Sequence, residues 1–467
     1  MLCIKLHDWY GALRETCTGR CAGYESTECS ERLVHKIVVV GGGAGGLELA
    51  TRLGDTLGAK GIARVTLVDR CPTHLWKPLL HEVAAGSLDR EVHQLEFAAQ
   101  AHWHHFEFVQ GEFVSLDRAS KTIGLGGVFD AEDGQQVLPS RALPYDTLVL
   151  ALGSQTHFFG VSGAKEHTIP LDTPEQAERL RRRLLRTCMT KSACNQSGKG
   201  ATVNVAIIGG GATGVELSAE LRRMEKVFSQ YGLRAPEQTH GINITLLEAG
   251  PRLLPALSER VAHATAVLLQ DMAITVLVAD PVIDVRPDGV LTRSGKHVAA
   301  DITIWAAGIK APDVLMSLDG IEVNKMNQVC VNNMLQSLAD ADIFALGDCA
   351  SCAWTSALFV PPRAQAANQQ ASFLAKALKA RLGGRSIKPF RYIDRGSLVS
   401  LGSASAVGSL MGGVIGGSIL IEGLIARVMY AALYQKHLAA VAGVRRMLAR
   451  LLIQGLRRTT SPRVKLH

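Results

Sequence analysis

Two glycine-rich hexads carry the clearest chemical signal in the sequence. Glycine occupies the first, third and sixth positions of each hexad: Gly41, Gly43 and Gly46, and then Gly209, Gly211 and Gly214. A tight glycine turn lets backbone N–H groups and a helix N-terminus approach a pyrophosphate, whose negative charge the helix dipole stabilises. One such match is weak evidence, but each hexad here follows a β-branched or apolar run and precedes helix-forming residues. The pattern therefore predicts two dinucleotide-binding turns.

An acidic residue ends the apolar run that follows each turn: Asp69 in the first unit and Glu248 in the second. In such units this carboxylate accepts hydrogen bonds from the hydroxyl groups of a ribose. The charge of Glu248 would repel the 2′-phosphate of NADPH, so the second site is predicted to favour NADH. Arg252 has two open interpretations, a partner for a 2′-phosphate or a structural residue beside Pro251.

The turns require a strand before them and a helix after them, and the sequence supplies this order twice. The predicted strand, helix and strand are residues 35–40, 47–57 and 63–69, and then 203–208, 215–228 and 242–247. Strand-like runs that end on Gly153 and Gly308 close the two units, and we assign both glycines to dinucleotide binding. The predicted fold class is therefore α/β, with two Rossmann-like domains.

A further strand-like run ends on Gly347 and Asp348, after the second unit. Asp348 has two open interpretations: it receives the ribityl hydroxyls of a flavin beside a pyrophosphate, or it is a plain helix N-cap. The chain is thus predicted to return to its first domain. The predicted divisions are 1–32, a leader of doubtful structure; 33–162, the first part of one dinucleotide domain; 163–322, the second dinucleotide domain; 323–395, the return to the first; and 396–467, a C-terminal region.

The charge distribution points to a lipid surface rather than to nucleic acid. The chain has 467 residues and a net charge of +8. Much of the excess lies at the C-terminal end: Arg445, Arg446, Arg450, Arg457, Arg458, Arg463 and Lys465. The longest apolar stretch, residues 406–421, is shorter than the roughly 20 residues that span a bilayer, and no secretory signal is evident. These features predict a cytoplasmic protein bound peripherally to anionic lipid.

The C-terminal region has the pattern of an amphipathic helix. From His437 onwards, apolar residues recur at helical spacing: Leu438, Val441, Val444, Leu448, Leu451, Leu452 and Leu456. Arg446, Arg450 and Arg457 fall on the opposite face, as in helices that lie in a membrane interface. A preceding helix is predicted over residues 424–434. The alternative is that these helices dock on the protein body or form a dimer interface.

Cysteines and histidines give no convincing metal site. Four cysteines lie in the leader, at Cys3, Cys17, Cys21 and Cys29, with a spacing that matches no known zinc or iron–sulfur pattern. Cys349 and Cys352 have the spacing of a redox pair or a metal pair, or of no functional pair. His102, His104 and His105 have no second ligand cluster nearby in the sequence. We predict that no metal is bound.

Five longer runs narrow the family. They are residues 74–83, 209–216, 305–312, 347–350 and 361–370. With the glycine turns they resemble the two-dinucleotide, disulfide-reductase-like flavoproteins, and among these the bacterial type II NADH:quinone oxidoreductases. The resemblance extends from Lys36 to His467 and leaves out the cysteine-bearing leader.

The resemblance implies roles for individual residues. Gly41, Gly43, Gly46, Asp69 and Asp348 would hold FAD, and Gly209, Gly211, Gly214 and Glu248 would hold NADH. Glu216 would lie near the flavin and the nicotinamide. Gln365 and Gln369 match the family's quinone motif, and two amides at this spacing share one helix face and can donate to a quinone carbonyl. Lys77 either donates to the flavin or the reduced quinone, or is a surface lysine.

The implied activity is transfer of a hydride from NADH to FAD and of two electrons to a membrane quinone, without proton pumping. The enzyme would work at the cytoplasmic face of the plasma membrane, and a homodimer is possible. Two alternatives remain at this stage. A sulfide:quinone reductase would need reactive cysteines at the flavin, and a non-catalytic flavoprotein would use NADH binding as a redox-sensing switch.

Overall fold

The structure is a computed structural model, and it describes residues 34–130, 132–193, 202–230, 241–401, 406–411 and 418–460. The predicted leader 1–32 lies outside the described residues, as do its four cysteines. The helices are α1 (Ala44–Leu53), α2 (Leu80–Ala85), α3 (Arg90–His93), α4 (Phe97–Trp103), α5 (Ala164–His167), α6 (Pro174–Ala193), α7 (Ala212–Gln230), α8 (Glu259–Asp271), α9 (Ala364–Leu382), α10 (Gly423–Ala442) and α11 (Val444–Thr460).

Two parallel five-stranded sheets form the framework. Their strands are β1 (His35–Val40), β2 (Ala63–Asp69), β3 (Glu107–Gln110), β4 (Thr147–Leu150), β5 (Ile169–Pro170), β6 (Val203–Ile208), β7 (Ile242–Leu247), β8 (Thr275–Leu277), β9 (Ile302–Trp305) and β10 (Ile343–Ala345). The first sheet has the order β10-β4-β1-β2-β3 and the second the order β5-β9-β6-β7-β8. The four strands β4-β1-β2-β3 and β9-β6-β7-β8 therefore have the same order, whereas the fifth strand follows the other four in the first unit (β10) and precedes them in the second (β5).

The chain order places the second sheet within the first. Strand β10 pairs with β4, although all the strands of the second sheet lie between them in the sequence. Apolar strands such as β1 and β4 are buried, as expected of parallel strands covered on both faces. The carboxyl ends of β1, β4 and β10 lead to Gly41, Gly153 and Gly347, so residues far apart in sequence meet at one edge of the first sheet.

Smaller sheets surround this framework. One three-stranded antiparallel sheet joins Phe113–Asp117, Thr122–Leu125 and Arg141–Pro144, and another joins Val282–Arg286, Gly289–Thr292 and His297–Ala299. A third joins Ser397–Ser400, Ala406–Met411 and Ser418–Glu422. Two-stranded pairs are Thr73–His74 with Leu95–Glu96, Val128–Phe129 with Gln136–Leu138, Gln155–Thr156 with Ile309–Lys310, and Val329–Val331 with Ala350–Cys352. Short turns of 3-10 or π helix are Gly54–Gly58, Lys77–Leu79, Asp313–Ser317 and Gly347–Cys349.

The C-terminal helices differ from the sequence prediction in one respect. The predicted amphipathic helix begins at His437, whereas the structure continues α10 to Ala442 and begins α11 only at Val444. Gly443 separates them with a φ of +81°, a left-handed conformation typical of helix ends. Leu438 and Val441 therefore belong to α10 and are buried, so the prediction that they lie on the amphipathic face is wrong.

The sixth glycine of the first turn is required by packing rather than by a ligand. A Cβ atom at Gly46 would overlap the carbonyl oxygen of Gly41, because α1 leaves the turn in direct contact with it. At Gly43, by contrast, no atom of the described residues lies within 4 Å of an added Cβ. The same contrast distinguishes Gly214 from Gly211 in the second turn.

This contrast gives a prediction about stability. We expect Gly46→Ala to lower the free energy of unfolding by about 2 to 4 kcal/mol, because backbone must move to admit the methyl group. Gly43→Ala is the matched control, with a change of less than about 0.5 kcal/mol. Urea unfolding of both variants in the ligand-free state measures the difference, since Gly43 itself is assigned to dinucleotide binding. Equal stabilities would contradict the packing assigned to Gly46.

Candidate active site

A single large cavity collects most of the predicted site residues. Its volume is 1730 Å³, well above the roughly 300–1,000 Å³ of an ordinary small-molecule pocket, so it has room for two ligands that meet. Ten predicted residues line it: Gly41, Gly43, Asp69, Lys77, Gly153, Gly211, Glu216, Asp348, Gln365 and Gln369. The remaining predicted residues are not among those that line it: Gly46, Gly209, Gly214, Glu248 and Gly308.

The two acidic residues hold the two glycine turns in the same way. Asp69 accepts the N–H of Gly42 at 2.6 Å and that of Cys71 at 2.8 Å. Glu248 accepts the N–H of Gly210 and that of Gly250, both at 2.7 Å. A carboxylate has about four acceptor sites, so each retains capacity for ribose hydroxyls. Burial raises the pKa of Asp69, although the two backbone donors oppose that shift.

The first turn suits the pyrophosphate of a dinucleotide. Gly41 has a φ of +105° and approaches the backbone of Ala151 so closely that a Cβ would overlap it. Helix α1 begins directly after Gly43 and directs its unpaired N–H groups towards the cavity wall. At the opposite wall, Asp348 accepts a hydrogen bond from the hydroxyl of Ser154 at 2.8 Å.

Asp348 is not the N-cap of an α-helix. It lies in the short 3-10 turn Gly347–Cys349, which is followed by a strand, and the next α-helix is α9. The N-cap alternative is therefore wrong. The carboxylate lines the cavity, where it can accept further hydroxyl groups.

Arg252 has the structural role that the sequence left open. Its guanidinium donates to the carbonyl oxygens of Leu257 at 2.9 Å and Pro255 at 3.0 Å, with a longer bond to Leu254 at 3.3 Å. These bonds hold the loop after β7 in shape. A guanidinium committed to its own loop is poorly placed to bind a 2′-phosphate.

Glu216 is a buried carboxyl group at the point where the two halves of the cavity meet. It accepts the N–H of Ser400 at 3.0 Å, and its second oxygen lies 3.6 Å from Nδ1 of His81. Burial raises the pKa of Glu216 to about 8, and the nearby charge of Glu82 adds to the shift. Burial also lowers the pKa of His81 to about 4. At neutral pH the pair is a carboxylic acid beside a neutral imidazole.

Lys77 lines the cavity and is exposed, with 43% of its side chain accessible. Its Nζ donates to the carbonyl oxygen of Ser154 at 2.9 Å and lies 3.5 Å from a carboxylate oxygen of Asp172. Asp172 in turn accepts the N–H of Thr156 at 2.6 Å. The ammonium group is thus held between the segment after β4 and the segment that leads into the second dinucleotide unit.

The two glutamines lie on one face of α9, but their amides are already engaged. Gln365 donates both N–H groups, to Asp394 and to the carbonyl oxygen of Gly396, each at 3.1 Å. Gln369 donates to the carbonyl oxygen of Ile393 at 2.9 Å and accepts its N–H at 3.1 Å. The expectation that both amides are free donors is wrong for Gln365. Gln369 keeps one N–H available beside the cavity.

Cys349 and Cys352 are core residues. Both are free and buried, and burial raises the pKa of each thiol to about 11. Cys349 donates to the carbonyl oxygen of Leu346 at 3.3 Å. A thiol that stays protonated inside the core is not a reactive nucleophile. Within the part of the chain that the structure describes, no cluster of histidine, cysteine and acidic residues has the arrangement of a metal site.

Two site residues carried no assigned role in the sequence. His81 lies in the run 74–83, which supports the family resemblance. Nothing in that run indicates that His81 contacts Glu216, which is 135 residues later in the sequence. Asp172 belongs to none of the sequence motifs. The packing of α2 against α7 brings His81 to Glu216, and the contacts of Asp172 with Lys77 and Thr156 likewise join separate segments. Contacts of this kind have no local signal in the sequence.

Comparisons with known proteins agree with this geometry. Residues 35–371 match the family model described as pyridine nucleotide-disulphide oxidoreductase. A curated type II NADH:quinone oxidoreductase from Haemophilus influenzae is 40% identical over 92% of this chain and 99% of its own length. Another, from Staphylococcus aureus, is 28% identical over 82% of this chain and 91% of its own length.

Solved structures share the fold at lower sequence identity. NDH2 from Plasmodium falciparum in complex with NADH has a TM-score of 0.77 and 19% identity, covering 93% of this chain and all of that one. The sulfide:quinone oxidoreductase from Aquifex aeolicus has a TM-score of 0.67 and 20% identity, covering 88% of this chain and 92% of that one. At these identities the likeness shows the fold alone.

The role of Glu248 is open to a direct test. We expect Glu248→Ala to lower the ratio of kcat/KM for NADH to kcat/KM for NADPH by about tenfold, because the charge that repels a 2′-phosphate is gone. Loss of the bonds to Gly210 and Gly250 should weaken both nucleotides alike, so the ratio reports the two effects that differ between them: the lost repulsion of a 2′-phosphate and the lost acceptor for the 2′-hydroxyl of NADH. Arg252→Ala is the control and should leave the ratio unchanged. An unchanged ratio in Glu248→Ala would exclude the ribose assignment.

The raised pKa of Glu216 predicts a pH dependence of stability. The folded chain keeps this proton up to about pH 8, whereas the unfolded chain releases it near the ordinary pKa of 4.5. The free energy of unfolding therefore falls as pH rises through this window, by about 1 kcal/mol per pH unit from this group. Buried histidines such as His81 and His74 contribute in the opposite direction around their ordinary pKa of 6.5, so the contribution of Glu216 is measured as a difference between two proteins that share these histidines. From pH 6.5 to 7.5, urea unfolding should show the stability of the unsubstituted protein falling relative to that of Glu216→Gln, and a constant difference would contradict the buried acid.

Proposed function

The chain belongs to the type II NADH:quinone oxidoreductases, within the pyridine nucleotide-disulphide oxidoreductase family, and we propose that it passes electrons from NADH through bound FAD to a membrane quinone. The observation that carries the proposal is the shared cavity. Gly43 and Asp348 from the first unit, Gly211 and Glu216 from the second, and Gln369 from α9 line it together. A two-step oxidoreductase needs its electron donor, cofactor and acceptor to meet in this way.

FAD fits the first site. The glycine turn at Gly41, Gly43 and Gly46 would receive its pyrophosphate, Asp69 an adenosine ribose, and Asp348 its ribityl chain, with Gly153 beside it on the wall. When bound, FAD accepts the two electrons of NADH as a hydride and releases them to the quinone. The protein's part is to hold the partners at the correct distance and to exclude water.

NADH would bind at the second turn. Gly209, Gly211 and Gly214 form that turn, Glu248 would hold the ribose, and Gly308 follows the neighbouring strand β9. Gly211 directly precedes α7, Glu216 lies in its second turn, and both line the cavity. A dinucleotide whose pyrophosphate lies at Gly211 therefore extends towards Glu216 and the first site.

We assign to Glu216 the supply of a proton. The overall reaction, NADH + H⁺ + quinone → NAD⁺ + quinol, consumes one proton beyond the hydride. A carboxyl group with a pKa of about 8 holds a proton at neutral pH and can release it to a newly formed quinolate. Lys77, at the other side of the wall, is a second donor to the same region.

Gln365 and Gln369 would shape the quinone site in different ways. Gln365 uses both N–H groups to fix Asp394 and Gly396, so we propose that it positions the segment 393–396 along the cavity. The remaining N–H of Gln369 is the donor we assign to a quinone carbonyl. The segment continues into the strand Ser397–Ser400, whose last residue donates to Glu216, so the quinone motif and the buried acid are physically joined.

Helix α11 would bring the enzyme to the lipid that dissolves its quinone. Its apolar side chains are strongly exposed, with Leu452 at 72% and Leu456 at 73%. The guanidinium of Arg446 instead lies 4.0 Å from the ring of Trp103 in α4, which anchors the opposite face to the body. Within the described residues, no helix combines the length and the apolar composition needed to cross a bilayer. We propose that this exposed face binds an anionic membrane surface, on its cytoplasmic side.

The domain divisions predicted from the sequence fit this scheme and remain a proposal. Residues 33–162 with 323–395 would form the FAD domain, 163–322 the NADH domain, and 396–467 the membrane-binding region. A homodimer is the alternative occupant of the exposed face of α11.

The two alternative functions are less well supported. A sulfide:quinone reductase needs reactive cysteines, whereas Cys349 and Cys352 are buried with raised thiol pKa values. Burial also raises the pKa of the Cys71 thiol, which lies beside Asp69. A sensor that only binds NADH needs no site for a second electron acceptor, whereas we assign such a site to the region beside Gln369.

Anaerobic mixing tests the proposed function. We expect NADH to bleach the flavin absorbance of the purified protein, and a short-chain quinone added afterwards to restore it within one turnover. Bleaching without restoration would indicate a sensor. Binding of NADH without bleaching would contradict the oxidoreductase.

The membrane role of α11 is tested by flotation with vesicles that contain anionic lipid. We expect Leu452→Ser with Leu456→Ser to weaken vesicle binding by tenfold or more, because two leucines would leave the interface at roughly 1.5 kcal/mol or more each. The control pair is Met316→Ser with Leu338→Ser, exposed apolar residues outside α11 at 58% and 59%. Unchanged vesicle binding together with a change from dimer to monomer would instead identify a dimer interface.

A further inference from the structure

Two buried histidines connect helix α10 to the first glycine turn. His74 lies in the short strand after β2, and His437 lies in α10. Their Nε2 atoms are 2.9 Å apart, and Nδ1 of His74 lies 2.8 Å from the carbonyl oxygen of Gly42. A chain of hydrogen bonds therefore joins a helix near the end of the sequence to the turn near its beginning.

The protonation of this chain follows from the acceptor at its end. A carbonyl oxygen can only accept, so Nδ1 of His74 carries a hydrogen and donates to Gly42. Burial lowers the pKa of His74 to about 4 and that of His437 well below its usual value, so both rings are neutral near pH 7. The Nε2 of a neutral His74 is then an acceptor, and Nε2 of His437 must be its donor.

The bond to Gly42 determines where the next amide points. A trans peptide places its carbonyl oxygen and the following N–H on opposite sides. With the oxygen of Gly42 held towards His74, the N–H of Gly43 faces the other way. Gly43 lines the cavity, with space open in front of it, at the position assigned to the FAD pyrophosphate. The N–H of Gly42 is fixed as well, by Asp69, so the middle of the turn is held from two directions.

His437 is itself held in place by aromatic contacts. Its ring stacks on Trp76, with centroids 5.7 Å apart and planes 18° apart. Tyr434, one helical turn earlier, contacts the same indole at 5.5 Å. All three side chains are buried. Packing of α10 against Trp76 therefore positions Nε2 of His437, independently of the glycine turn.

We propose that His437 is a positioning residue for FAD: through His74 it fixes the Gly42–Gly43 peptide so that the amide of Gly43 is preorganised for the pyrophosphate. The proposal rests on the FAD site described under Proposed function. It makes docking of α10, the helix that precedes the exposed helix α11, a condition for tight FAD binding. The two ends of the chain would thus cooperate in one cofactor site.

The dissociation constant for FAD in the full-length protein tests this role. Free-flavin fluorescence on dilution of the holoprotein gives the constant, and far-UV circular dichroism checks the fold. His437→Phe keeps an aromatic ring against Trp76 but cannot donate, so the constant should rise about tenfold. His437→Gln carries an amide nitrogen that can replace Nε2, and it should restore the constant to within about twofold of the unsubstituted protein.

Tyr434→Phe is the matched control. The substitution lies in the same helix and keeps the ring that contacts Trp76. The hydroxyl that it removes has no hydrogen-bond partner among the described residues, so FAD affinity should not change. Tight FAD binding by His437→Phe, equal loss in His437→Gln, or equal loss in Tyr434→Phe would each overturn the proposal. If His437→Phe does not fold, His437→Leu replaces it with the same expected result. An unsubstituted protein without FAD would refute the proposed function itself, which is a distinct outcome.

Discussion

The site depends on one constraint that occurs twice. A carboxylate at the end of one strand accepts a hydrogen bond from the backbone N–H of the second glycine in the turn beside it, Gly42 for Asp69 and Gly210 for Glu248. The parallel register makes this possible. Pairing of β1 with β2 places Val40 opposite Val68, and Gly41 donates to the carbonyl oxygen of Val68 at 2.7 Å. Gly209 makes the corresponding bond to Leu247, also at 2.7 Å. Asp69 directly follows Val68, and Glu248 directly follows Leu247. The strand pairing itself therefore brings each acid next to its turn.

The chemistry follows from how these two units are joined. The second sheet is inserted between β4 and β10 of the first, and the chain after β10 continues into α9 and the strand Ser397–Ser400. That return places Ser400 against Glu216 and pins the segment 393–396 to Gln365 and Gln369. A carboxyl group enclosed in this way is cut off from water, which keeps it protonated near neutral pH. Burial is therefore the reason that the pKa of this carboxyl group lies above its ordinary value.

The sequence predicted the elements that carry local signals. Strands β6 and β7 begin and end where the sequence placed them, and the glycine turns with their acids lie where expected, because β-branched runs and glycine spacing are local properties. The start of α11 was placed too early, since Leu438 and Val441 have the apolar spacing of an amphipathic face yet face the core. Helical periodicity identifies the apolar face but cannot distinguish burial against the body from exposure to lipid. The contacts of His81, Asp172 and His437 are made between distant segments, and only the folded chain brings them together.

The two turns should have separate tasks, one for FAD and one for NADH, and a pair of matched variants distinguishes these tasks. Gly43→Val and Gly211→Val each place a side chain where the described residues leave open space, so both proteins should fold. We expect Gly43→Val to be purified without flavin. We expect Gly211→Val to retain flavin that dithionite reduces and quinone reoxidises, but that NADH no longer reduces. Loss of flavin from Gly211→Val, or retention of flavin with loss of NADH reduction in Gly43→Val, would contradict the assignment of the two sites.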